Sequence, residues 1–379
     1  MNHMNSRLLI PIVALIMAAC SSGQKSFRQG NYFGAVQTAV ERLRSNPDHK
    51  KSRQVLESGY TEALRWSQDE IDITLSGNDP LKWEKTVDLM RRVNNLASEI
   101  RRCPAALEII PDPKVYTAEM NMALEKAAEE TYQAGMAALQ QPGRESARRA
   151  FSLFTRSDQL IPGYKDTQDR MTDAKNRATL VVVVEPIPVH SKMFVLSADF
   201  FYNQVFEYLN RRFPVSGFVH FFHPGEFEKS GIKQPDMVLQ LEFFDFTVGA
   251  MKQAESEKEL TSTVKKNPKD TLSNETITYK AKMKTFTNEV ASGGVVDLKI
   301  TEWPSGKLLL NDRIPGEFIW INQYAIFAGD EKALTAEQLK LTRQKPLQPP
   351  PAQNLFIEFT RPIYDQLTGR LNSFFGRYR

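Results

Sequence analysis

Two cysteines in 379 residues, Cys20 and Cys103, are too few for a disulfide framework. The apolar run over residues 8–19 falls short of the roughly twenty residues that a spanning helix needs, so it is no transmembrane segment. Charge of one sign is not in excess: 49 basic against 45 acidic residues leave +4, a balance that argues against a nucleic-acid partner. The chain has no GxSxG, HExxH or GxGxxG. No paired carboxylates stand out for glycoside hydrolysis either. The sequence therefore nominates no catalytic residue, no cofactor site and no metal ligand. What remains is a globular composition, 41% hydrophobic and 10% aromatic, long enough for two domains with a core each.

The most informative stretch is the first. Arg7 precedes twelve uncharged residues, and Met17, Ala18 and Ala19 set small side chains before Cys20. This is the pattern of a lipoprotein signal peptide over residues 1–19, with acylation expected at Cys20. Each buried methylene contributes about 0.8 kcal/mol, so a diacylglycerol and a further palmitate-type chain suffice for stable anchoring. Cleavage removes Arg7 alone among the charged residues and takes the net charge from +4 to +3. Cys103 then has no cysteine to pair with, and a buried thiol at a helix end is expected there.

After a tether over residues 20–26, residues 27–177 have helical periodicity. Phe27, Tyr32, Ala35, Val36, Ala39, Val40 and Leu43 recur at three- and four-residue spacings before Asn46 and Pro47. Further apolar stripes end at Pro80, Pro104, Pro142 and Pro162. Gly30, Asn31, Tyr32, Ala35, Ala39 and Pro47 resemble the second helix of a tetratricopeptide repeat. The stops at Pro47, Pro104 and Pro162 lie 57 and 58 residues apart, which fits degenerate, lengthened repeats. The resemblance implies a stack whose concave surface grips a peptide or protein.

At Ala178 the period changes. Residues 178–187 form the most apolar stretch of the mature chain and predict a buried central strand in a domain spanning 178–379. A helix over 198–212, strands over 217–222 and 237–243, long strands over 277–290 and 295–303, a strand over 308–314 and a closing helix over 355–378 complete an α/β sandwich with a mixed sheet and a long hairpin. The fold class is thus α+β in two domains, all-helical repeats first. Residues 251–271 are charged and aperiodic and read as a mobile insert or loop. Val183, Val184, Glu185, Pro186 and Ile187, the segment from Pro235 to Leu239, and Val296, Asp297, Leu298 with Ser305, Gly306, Lys307, Leu308 resemble the α/β domain of the curli-secretion channel lipoprotein, the lipoprotein activators of penicillin-binding proteins and the amino-terminal domain of the Tol-system propeller protein. A channel role does not carry over, because residues 251–271 are too charged for membrane strands. The whole layout, including Gly329 to Leu334, is similar to uncharacterised outer-membrane lipoproteins of Bacteroidota type.

Individual residues name no chemistry. His220 and His223 are three apart on a strand and so point to opposite faces, a poor start for one metal site. Ser305, Gly306 and Lys307 lack the upstream glycine of a phosphate loop and read as a hairpin turn. The runs Phe200, Phe201, Tyr202; Phe221, Phe222; and Phe243, Phe244 read as core, with a ligand groove as the alternative. Phe374 to Arg379 sets aromatics beside cations at an amphipathic helix end. The expectation is a non-enzymatic outer-membrane lipoprotein, anchored at Cys20 and facing the periplasm, that scaffolds or regulates an envelope assembly through protein contacts. A small-ligand or glycan-binding lipoprotein is the alternative, and a periplasmic enzyme the less favoured one.

Overall fold

A computed structural model describes residues 22–188, 194–266 and 275–378. The signal stretch, Cys20 and the distal end of the expected insert lie outside them. The chain divides between Ala178 and Thr179 into two compact units.

The first unit is all helix: α1 (Gln24–Arg28), α2 (Tyr32–Ser45), α3 (Lys50–Ser76), α4 (Lys82–Arg101), α5 (Pro104–Ile109), α6 (Ala118–Gln140), α7 (Arg144–Leu160) and α8 (Thr167–Ala178). Each stripe of apolar residues noted above faces its neighbour. Ala35, Val36, Ala39, Val40 and Leu43 of α2 meet Val55, Leu56 and Tyr60 of α3 in a buried cluster, and two further clusters follow along the chain. Small residues set the spacing. A Cβ on Gly135 of α6 would lie 2.8 Å from Cε1 of Phe154, so only glycine lets the α7 phenyl ring approach this closely. Helix lengths run from 5 to 27 residues, so the unit is not built on a uniform repeat.

Two expectations change here. Residues 24–26 are not tether: they begin α1, and Gly23 fits against the Ala35 carbonyl where any side chain would collide. Pro104 does not close a unit. It is the first residue of α5, where its missing N–H costs nothing.

The second unit is a five-stranded mixed sheet in the order β2-β1-β3-β4-β5. Its strands are β1 (Leu180–Val184), β2 (Val219–Phe222), β3 (Met237–Lys265), β4 (Thr276–Glu302) and β5 (Leu308–Gly329). Strand β1 is parallel to both neighbours, and β3, β4 and β5 form an antiparallel meander. Helix α9 (Val195–Arg212) connects β1 to β2 and α10 (Pro224–Lys229) connects β2 to β3. Helix α12 (Ala352–Gly376) closes the chain after a 3-10 turn and the short α11 (Ala336–Thr342). One face of the sheet carries the core: Leu180, Val182 and Val184, then Leu239, Leu241 and Phe243, then Val296, Leu298 and Ile300, covered by α9 and α12 through Phe201, Leu209, Phe356, Phe359 and Phe375. The two helices are fastened by Tyr208 Oη donating to Thr368 O at 3.1 Å and Arg212 Nε donating to Asn372 Oδ1 at 2.8 Å.

The charged stretch from Met251 is not an insert. Strand β3 runs on through it to Lys265, in register with β4 from Ala250 opposite Ala291 to Lys265 opposite Thr276. At about 3.3 Å per residue the 29-residue strand is roughly 95 Å long. The pattern hid it because solvent bathes both faces here, so no alternation of apolar and polar residues is required. The charges instead pair across strands: Glu257 with Lys282, and Glu255 with Lys284 at 2.7 Å. The two strands expected over 277–303 are likewise one strand, β4. At Gly294 a Cβ would lie 2.5 Å from the Phe246 Cβ, and glycine lets the ladder pass. Strand β5 continues well beyond Ile314.

Candidate functional site

Two features of the second unit are candidates: a cleft at the end of β1 and the ribbon that β3, β4 and β5 form beyond the helices.

The cleft has a simple origin. Glu185 N donates to Leu239 O at 2.9 Å as the last rung of the β1–β3 pairing. Pro186 follows and has no N–H to give, so β1 ends while β3 runs on. A cleft of about 120 Å³ opens there, lined by Glu185, Pro186, Pro188, Gln240, Leu241, Glu242, Asp297 and Lys299. Strand alternation turns Gln240, Glu242, Asp297 and Lys299 away from the helix-covered core. Register places Glu242 directly opposite Asp297, and Asp297 opposite Arg313 on β5. Asp297 is only 7% exposed. Among the described residues its Oδ1 accepts no hydrogen bond, and Arg313 Nε lies 3.2 Å away as its ion-pair partner. The pairing is therefore one of charge without a directed bond. The Arg313 guanidinium instead sits 4.3 Å over the exposed Phe244 ring. Glu185 is oriented by Gln240 Nε2, which donates to its Oε2 at 2.7 Å.

The ribbon has most of its β3 side chains exposed along residues 251–265, on both faces. Its helix-side face carries the Glu–Lys pairs above and a stacked Phe286–Tyr324 pair with centroids 4.9 Å apart. On its other face a pad folds back: Ala333 and Leu334 cover Ala281, Met283 and Ala325, with Leu260, Tyr279, Leu339 and Leu341 around them. Asn322 anchors the returning chain, donating to Lys345 O and accepting from Leu347 N at 3.0 Å. Ile319, Ile321 and Ile326 stay exposed along β5. Among the described residues the outer edge of β3 beyond Leu239 has no strand partner, and its Glu and Lys residues guard it against indiscriminate pairing.

The residues singled out in the sequence fall as follows. Cys103 is buried between α4 and α5, its Sγ 3.8 Å from Val40 O. His220 Nε2 is 2.9 Å from Val215 O, whereas His223 stacks on Phe206 and contacts Tyr202 Oη through Nδ1 at 2.7 Å. Burial raises Tyr202 to about 12, so its hydroxyl stays protonated and donates to Val184 O. Among the described residues no three His, Cys, Asp or Glu side chains are placed to hold a metal ion. Ser305, Gly306 and Lys307 form the β4–β5 turn, with Gly306 N donating to Glu302 O. Phe201, Phe221 and Phe243 are core, while Phe200 and Phe244 are exposed. Phe374 and Phe375 are core as well, and Arg377 lies over the Phe374 ring. Asp297, Glu242, Glu185, Lys299 and Arg313 had no signal as a group, because cross-strand register alone assembles them. Among the described residues no helix is long and apolar enough to cross a membrane.

No family model and no curated protein matches the chain. Among solved structures it is similar to a neuraminyllactose-binding hemagglutinin homolog from Helicobacter pylori, at 15% identity and a TM-score of 0.24, over 53% of this chain and 89% of that one. A likeness at that score carries no argument about fold or ligand.

Proposed function

We propose that the protein is a lipid-anchored, non-enzymatic scaffold of the outer membrane that faces the periplasm and joins envelope proteins. The helical unit takes one partner in the manner of a tetratricopeptide-like stack, and the β-ribbon takes another. The ribbon is the observation that carries the reading. A three-stranded arm that carries only the small pad cluster and is otherwise largely exposed adds little to the main core of its own unit, and an arm of that kind serves contact with something else. The stretch ending at Ala18, Ala19 and Cys20 supplies the anchor, and the absence of acidic residues directly after Cys20 favours the periplasmic orientation.

Native membranes test this with two variants of a tagged full-length chain. Cys20→Ser should accumulate as an unprocessed precursor. Replacing residues 263–278 by Asn-Gly shortens β3 and β4 beyond the end of β5 and leaves Tyr279 of the pad in place. It should release a partner that the parent chain retains at stoichiometric level. Normal processing of Cys20→Ser removes the anchor from the proposal. An unchanged set of partners on the shortened chain removes the ribbon.

A further inference from the structure

We infer that the outer edge of β5 is an interface for a second copy of this chain, paired strand to strand across a two-fold axis. Strand β5 ends the sheet, with β4 as its one strand neighbour among the described residues. Asp330 N donates to Lys280 O at 3.0 Å, and from there the β4–β5 register runs without a shift to Ile300 opposite Leu310. Counting back from that rung, even-numbered residues of β5 turn N–H and C=O to β4, and odd-numbered residues turn theirs outward. Pro315 agrees with this count. It sits at an odd position, where the ladder needs no N–H, and its outward carbonyl accepts from Gln366 Nε2 at 3.1 Å. From Glu317 to Gln323 the outward backbone groups have no hydrogen-bond partner among the described residues.

The two edges of the ribbon differ in charge. Strand β3 carries six charged residues among the fifteen from Met251 to Lys265, whereas residues 318–329 of β5 carry none. Ile319 and Ile321 are more than half exposed there. A long neutral edge of isoleucine and aromatic residues, with neither a charge nor a proline to guard it, is a template for another strand. The occupant follows from self-complementarity. Gln366 on the Pro315 carbonyl bounds the free stretch at one end and the pad over Ala325 at the other, which puts a two-fold at Ile321. Antiparallel pairing about that point sets Ile321 against the partner's Ile321, Ile319 against the partner's Gln323, Phe318 against the partner's Tyr324 and Glu317 against the partner's Ala325. No like charges meet, and an aromatic cross-strand pair forms twice. Pairing β5 with the β3 edge of the next copy would set the neutral row against Glu and Lys and leave an edge open for further copies, whereas the two-fold closes.

The test is the mass of the purified full-length chain by sedimentation equilibrium over a concentration series, in a detergent matched to the solvent density. A reversible dimer is expected. Ile321→Lys sets two ammonium groups opposite each other on the axis and should raise the dissociation constant at least tenfold. Ile319→Pro removes an outward N–H that β4 does not use and should weaken the dimer as well, so the test does not hang on one variant. Ala254→Lys adds the same charge at an exposed position of β3 and should stay within twofold of the parent. A parent chain that is monomeric at every concentration overturns the inference and leaves the edge to a strand of another protein. A dimer that both β5 variants leave unchanged overturns it too, as does one that Ala254→Lys weakens equally. The chain shortened at residues 263–278 keeps residues 317–325 and should dimerise like the parent, so this result stands apart from the tests of the anchor and of the ribbon tip.

Discussion

At the scale of single residues, the turn into α8 shows how polar side chains hold a helical unit together. Glu129 on α6 accepts from Lys165, from Tyr164 Oη and from Gln133, and these bonds draw its pKa down from the usual 4.5 to about 2, with Lys165 the largest cause. Lys165 has a φ of 48°, a left-handed conformation, and the bond to Glu129 helps hold it there. The Glu129 side chain is 40% exposed, so solvent screens much of the effect. Glu129→Gln is expected to cost roughly 1 kcal/mol at pH 7, on the scale of exposed ion pairs. The native pKa is depressed, so the contribution is complete above the unfolded value of 4.5 and fades as pH falls towards about 2. Thermal melts of parent and variant should therefore differ at pH 7 and converge between pH 4.5 and pH 2. A gap that persists at pH 2 would assign the effect to packing.

The pad on the ribbon makes a prediction at the scale of elements. It is held by a small satellite cluster of five buried residues and by Asn322, apart from the main core. Met283, 4% exposed, is its largest ribbon-side member. Met283→Ala should remove about 2 kcal/mol, the lower end of the range for such truncations. Because the cluster is separate, the loss should fall on the pad alone. Limited proteolysis within residues 331–347 should speed up by at least an order of magnitude while the main melting transition moves by less than 2 °C. An unchanged cleavage rate would mean that other contacts hold the pad.

For the whole molecule, each unit has its own buried clusters: three in the helical unit, and the large sheet–helix core with the pad in the other. Chains covering residues 22–178 and 179–379 are each expected to fold with a cooperative melt. If neither shows one by circular dichroism, the units depend on each other for stability. The helices were legible in the sequence because each buries one stripe, and a stripe at intervals of three and four residues is visible in any window. Strand β1 was legible for a related reason: both of its faces are buried, and residues 180–184 are all Leu or Val. Strand β3 was legible only as far as Phe243. From Met251 on most of its side chains meet water whichever way they face, and nothing in the composition of residues 251–265 tells a solvated strand from a loop.

Order and type of elements, helices first and a mixed sheet after them, were thus properties of the sequence alone, since local periodicity reflects which side of an element is buried. The anchor expected at Cys20 is also a matter of local sequence, which a processing enzyme reads before any fold exists. The ribbon and the cleft are different. Glu242 and Asp297 are far apart in the chain and meet only through the register of β3 on β4, which two irregularities shift between Phe243 and Ala250. Pro186 opens the cleft only because β3 continues past the point where β1 stops. Pairing between distant segments decides such sites, and that pairing is set by the whole sheet and leaves no mark in any single stretch of sequence.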